Sequence, residues 1–108
     1  MVETFSRKAI SARPDFAAAH GQLGVGLNLE HRWAEAAREL EEAIRLDPRN
    51  PAPHIGLAVA EANVGRLADA RLQVEEALRL DPRSQQATRL KQALEQSRTQ
   101  RDGGATHR

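Results

Sequence analysis

The sequence predicts an all-α fold, a stack of about six helices arranged as helix–turn–helix units. Three observations carry this expectation. Pro14, Pro48 and Pro82 stand 34 residues apart twice over, and laying residues 17–50 over 51–84 without a gap aligns 15 identical positions out of 34. Residues 41–49 recur almost unchanged as 75–83. Within each period the apolar residues fall at helical spacing, and a fixed period of this length marks units that bury their apolar faces only by stacking on one another.

The elements follow in order. Residues 2–12 match only the second half of a unit, since Val2, Ala9 and Ile10 fall one period before Ala36, Ala43 and Ile44. The first helix of a full unit is expected over 16–30, with Asp15 available as its cap and Leu23 and Leu27 on its apolar side. A tight turn at His31-Arg32 leads into 33–46, where Ala36, Leu40, Ala43 and Ile44 are spaced i, i+4, i+7, i+8 and make one stripe. Pro48 ends that helix, because the residue before a proline is pushed out of the α region. Asn50-Pro51 opens 51–64 with a capping side chain followed by a proline in the first turn, where its missing N–H costs nothing. After a turn at Gly65-Arg66, residues 67–80 repeat the stripe as Ala70, Val74, Ala77 and Leu78 and stop before Pro82. Ser84 can cap a last helix over 85–98, with Ala87, Leu90, Ala93 and Leu94 on one side and a polar remainder, as the end of a stack requires. On the outward faces, Glu41–Arg45 and Glu75–Arg79 are spaced for i, i+4 ion pairs. The domain organisation is therefore a half unit at 1–14, full units at 15–50 and 51–84, and a capping helix at 85–98. Residues 99–108, with Gly103-Gly104 and no apolar period, are expected to form a disordered tail.

Composition narrows the chemistry. At 108 residues the chain is one domain, and with Phe5, Phe16 and Trp33 as its only aromatics the interior must be built from Ala and Leu. A net charge of +1 exerts no long-range pull on nucleic acid or membrane. Without Cys there is neither a disulfide framework nor a thiolate nucleophile. The first residues lack the apolar core of a signal peptide and no stretch has the length of a membrane span, so a cytoplasmic location is expected. Because the register begins in mid-unit, the chain reads as the end of a longer one.

These residues resemble the tetratricopeptide repeat family, whose unit is a 34-residue helix–turn–helix with small residues where its helices touch and a proline closing the second helix. The small positions read Gly24 and Ala58 on the first helices and Ala36, Ala43, Ala70 and Ala77 on the second. Glu35 and Asp69 occupy the acidic position, with Trp33 and Leu67 beside them. The resemblance covers residues 1–98 and implies a right-handed superhelical stack. Departures fall at His20 and His54, where the family usually has a bulky aromatic, and at Leu27 and Glu61, where it has a tyrosine-like residue. Glu61 is expected to weaken the core of the second full unit.

Other constellations favour bland readings. His20 and His54 are period equivalents without a ligand partner at metal spacing, so they read as half-buried packing residues. Gly21, Gly24 and Gly26 lie within a helix rather than at a strand-to-helix turn, so they are not a phosphate loop. Gly24 has a packing reason from the family pattern. Gly21 and Gly26 have none within a unit, which suggests close approach of another backbone. No carboxylate is isolated in an apolar setting and no nucleophile motif is present, so neither catalysis, a cofactor nor a metal is expected. The basic C-terminal end lacks interleaved aromatics for base stacking, which argues against nucleic acid.

The family resemblance implies a protein partner, with a peptide or helix held in a concave groove lined by the first helices. Here that face would present Ala18, Gly21, Val25, Asn28 and Leu29, then Ala52, Ile55, Val59, Ala62 and Asn63, with Gln86 and Arg89 from the cap. Asn28 and Asn63 could bond a peptide backbone through their amides. The positions at which some family members clamp acidic chaperone tails read Gly21, Val25, Gly56, Gln86 and Leu90, so an apolar or helical occupant suits this groove better. A second candidate surface is the open edge of the half unit at Val2, Phe5 and Ile10, where homo-oligomers could form. The reading is a protein-interaction module; the alternatives are a regulatory or targeting segment of a larger enzyme, such as a transferase, and a self-associating scaffold.

Overall fold

The computed structural model describes residues 16–106, and within the last helix the side chains only as far as residue 96. Five helices follow one another: α1 (Ala17–Leu29), α2 (Trp33–Leu46), α3 (Pro51–Asn63), α4 (Leu67–Leu80) and α5 (Gln85–Thr106). Among the described residues there is no strand. The expected helix over 2–12, the Asp15 cap and the edge at Val2, Phe5 and Ile10 lie outside the described residues. None of the described helices is long and apolar enough to cross a membrane.

Local chemistry sets the helix ends. Asp47 and Asp81, each just before a proline, adopt nearly the same extended conformation (φ −144, ψ 83 and φ −143, ψ 87) and stop α2 and α4 at matching places. Asn50 caps α3, its Oδ1 accepting from the Ala52 N–H at 3.1 Å, and Ser84 Oγ accepts from the Ala87 N–H at 3.1 Å. The turns between paired helices pass through the left-handed region at equivalent positions, His31 (φ 60) and Gly65 (φ 87). Glycine adopts that geometry without strain; His31, which does not, stacks its ring on Trp33 at 5.0 Å. The last helix, α5, runs to Thr106, past the expected end at 98.

The outward ion pairs are also corrected. Arg45 pairs with Glu42 and Arg79 with Glu76, both at i, i+3, in place of the expected i, i+4 partners Glu41 and Glu75. The guanidinium hydrogen bonds hold the Glu42 and Glu76 carboxyls below the usual carboxylate range.

The helices pack as α1 on α2 and α3 on α4, with α2 and α3 joining the two units and α5 closing the far end. Two apolar clusters result. The first gathers Leu23, Leu27, Ala36, Leu40, Leu57 and Ala60, and so spans both units; the second holds Ala58, Ala70, Val74 and Leu94. Leu40 is the peg of the first. A Cβ added at Gly24 would lie 2.5 Å from Leu40 Cγ, and one added at Gly56 would lie 3.1 Å from Leu40 Cδ1. The leucine thus fills space that two glycines leave open, one on α1 and one on α3.

Candidate functional site

A cleft of about 620 Å³ opens beside α1. Ala17, Ala18, Gly21, Gln22, Val25, Gly26 and Leu29 of α1 form one wall, and Asn50, Ala52 and Pro53 at the start of α3 form the other. Its floor is Leu40 and Ala43 of α2, both almost wholly buried. That floor is reached because Gly21 has no side chain: among the described residues, a Cβ there would meet only Ala43 Cβ, at 3.9 Å. Val25 is 51% exposed and Leu29 78% exposed, so apolar surface continues along α1 from the cleft. Among the described residues no charged side chain lines it.

Of the residues expected to form a groove, Ala18, Gly21, Val25, Leu29 and Ala52 meet in this cleft. Ile55, Val59 and Ala62 on α3 are half-buried, and Asn63, Gln86 and Arg89 are exposed, but none of these lines it. Asn28 is used within the stack: its Nδ2 donates to the Gly56 carbonyl at 3.0 Å and ties α1 to α3, leaving Oδ1 buried without a partner. Asn63 Nδ2 donates to Val59 of its own helix at 2.8 Å. Each amide thus donates one of its two hydrogens to a helix carbonyl. Gly56 packs on Leu40, and Leu90 packs against the second cluster. Leu40, Ala43 and Pro53 belong to the cleft but not to the sequence expectation. The signal for them was the glycine at position 21, one period before Ile55.

The histidines sit between paired helices. His20 Nδ1 donates to Glu39 Oε1 at 2.9 Å, and His54 Nδ1 donates to Gln73 Oε1 at 2.8 Å, the same link built one period apart. Glu61 is the outlier, and it corrects the expectation that no carboxylate stands isolated in an apolar setting. It occupies the position of the fully buried Leu27, is itself only 7% exposed, and its Oε1 has no hydrogen-bond partner. Burial pushes its carboxyl above the ordinary carboxylate range; Asp69 adds to the rise, while Arg66 opposes it.

Comparison with known proteins agrees with this architecture. The first tetratricopeptide domain of Spaghetti (RPAP3), solved with the HSP90 peptide SRMEEVD, superimposes with a TM-score of 0.83 at 18% identity, over 85% of this chain and 73% of that one. The second such domain of human RPAP3, solved with the HSP70 peptide SGPTIEEVD, gives 0.81 at 21% identity, over 83% and 75%. A Thermobaculum terrenum O-GlcNAc transferase gives 0.76 at 25% identity, over 79% of this chain but 16% of that one. No curated protein matches the sequence. The tetratricopeptide repeat profile matches residues 27–98, and the chain belongs to that family.

Proposed function

We propose that this domain is a protein-interaction module that holds a peptide or helical segment of a partner in the cleft beside α1, without chemistry of its own. The observation that carries the reading is the cleft itself, about 620 Å³ in volume, mostly apolar and without a charged side chain among the described residues that line it. The peptide-bound domains of similar fold support a peptide as the class of occupant. An acidic tail such as EEVD is a poor fit here, since a carboxylate moved from water into an uncharged cleft loses its hydration without gaining a partner.

A peptide-display selection on the immobilised domain tests this. Segments that bind the native domain and are lost with Val25→Glu and Ala52→Glu are expected. A selection that enriches nothing, or binders indifferent to both changes, would refute it. The resemblance to part of a transferase favours a second reading, in which this module steers a catalytic domain elsewhere in the same polypeptide. The full-length reading frame decides between the two.

A further inference from the structure

We infer that Glu61 makes the second unit a proton-operated device: with its side chain neutral, α4 and α5 stay docked on α3, and with it ionised they part from α3 while the first unit stays folded. Leu27, one period earlier, lies in a cluster with Leu57 and Ala60 that spans α1 and α3. One period on, those three positions are Glu61, the exposed Lys91 and the buried Leu94, so a carboxyl stands where apolar contact helps join one unit to the next. Glu61 also sits at the hinge. Its carbonyl accepts from the Val64 N–H at 3.2 Å and the Arg66 N–H at 2.8 Å, so its backbone closes the turn into α4. That turn passes through Gly65 (φ 87), which has no side chain to brace it, whereas the first unit's turn carries the His31–Trp33 stack.

The charged groups around it do not compensate an anion. Arg66 in the turn donates from Nε to Asp69 Oδ2 at 3.0 Å, and Asp69 on α4 and Glu41 on α2 are themselves acids. On α1 the titratable residue is His20, whose Nδ1 donates to Glu39; on α3 it is His54, bonded to Gln73. On α5, Lys91 and Glu95 line a crevice against Arg71 and Glu75 of α4. With Oε1 buried and without a hydrogen-bond partner, the neutral acid is tolerated and the carboxylate is not. The weak seam lies between α3 and the helices after it. Leu40 seats on Gly56 and Asn28 Nδ2 donates to the Gly56 carbonyl, which pins α3 to the first unit from two sides. Beyond α3 the packing rests on Val74, Leu94 and alanines. The closed form binds the proton more tightly, so it prevails at low pH and loses ground as pH rises through the raised carboxyl value.

Amide hydrogen exchange of the full chain, read by NMR from about pH 4, the ordinary range of a glutamate, to neutrality and corrected for intrinsic exchange, tests this. Opening constants in α4 and α5 should rise with pH, approaching about tenfold per pH unit for one proton, while those in α1 and α2 stay level. Glu61→Gln should abolish the rise, and Glu61→Leu should keep α4 and α5 closed across the range. In the unaltered chain the Glu61 carboxyl carbon should titrate above the ordinary carboxylate range. Opening constants in α4 and α5 that stay level would overturn the proposal, as would a carboxyl that titrates in the ordinary range. A rise shared equally by α1 and α2 would mean that the stack opens as one body, and would overturn the local device. A rise that survives Glu61→Gln would assign the response to another group, such as His54, and overturn the role of Glu61.

Discussion

The unit formed by α1 and α2 and the unit formed by α3 and α4 share their turns, their closing prolines and their alanine contacts, yet they divide volume differently. In the first, Leu40 fills the space over Gly24 and Gly56; in the second, Val74 stands at the equivalent place with Ala58 and Leu90 opposite. Among the described residues, the largest fully buried side chains are Leu23, Leu27 and Leu40 in the first unit and Val74 in the second. Where the first buries Leu27, the second buries Glu61 with an unpartnered oxygen. Where the second has the half-buried Ile55, the first has Gly21. One backbone plan thus tolerates a tight core in one unit and a looser core in the next.

The largest test of that asymmetry is Leu40→Ala. It should cost about 2–5 kcal/mol in urea unfolding, because the cavity would face two glycines that cannot close it. A loss below about 1 kcal/mol would show that Leu40 is not the peg of the first core. Next comes one substitution at two sites on the same helix. Gly24→Ala should destabilise by about 1–3 kcal/mol through overpacking, whereas Gly21→Ala should stabilise by about 0.5–1 kcal/mol through helix propensity. Equal signs would break the distinction between a packing glycine and a cleft glycine.

Glu61→Leu, which gives the second unit the first unit's residue, should stabilise by about 1–3 kcal/mol, the cost of a buried polar group without a partner. The sign of its pH dependence follows from the raised carboxyl. The folded state holds that proton more tightly than the unfolded chain, so the penalty is absent below the ordinary carboxylate range and sets in as pH rises through the raised value. The paired Glu42 and Glu76, held low, act in the opposite sense, losing their contribution as pH falls, so the measurement is the difference between wild type and Glu61→Gln across that range. A difference that does not change with pH would mean that Glu61 is solvated. Smallest is Gly65→Ala, which should cost about 1 kcal/mol at the left-handed turn, read as a lower thermal midpoint.

The period made the architecture legible, because prolines, caps and small contact residues act locally and recur with the chain. Asn50, Ser84, Pro48 and Pro82 do what their residue types dictate. The ion pairs were less legible: i, i+3 and i, i+4 partners are both within reach, and rotamers choose between them. The site was half legible. Ala18, Val25 and Leu29 follow from the face of a helix, but Leu40 and Ala43 become a floor only through the missing side chain at Gly21. Asn28 is expected as a groove amide, but its tie between α1 and α3 was not legible, since its reach to the Gly56 carbonyl depends on the closeness of two helices that no local pattern records.

The stack of His31 on Trp33 has an optical consequence. Trp33 is the sole tryptophan of the chain and lies in the first unit, so its emission reports the unfolding of that unit, while far-ultraviolet ellipticity reports every helix. In an array whose neighbours are coupled only through their interface, units joined firmly melt as one and units joined weakly melt in sequence. Coincident curves from the two signals would mean that the Leu40 contact between α2 and α3 welds the units together. Ellipticity that falls before the emission changes would mean that the unit carrying Glu61 opens first.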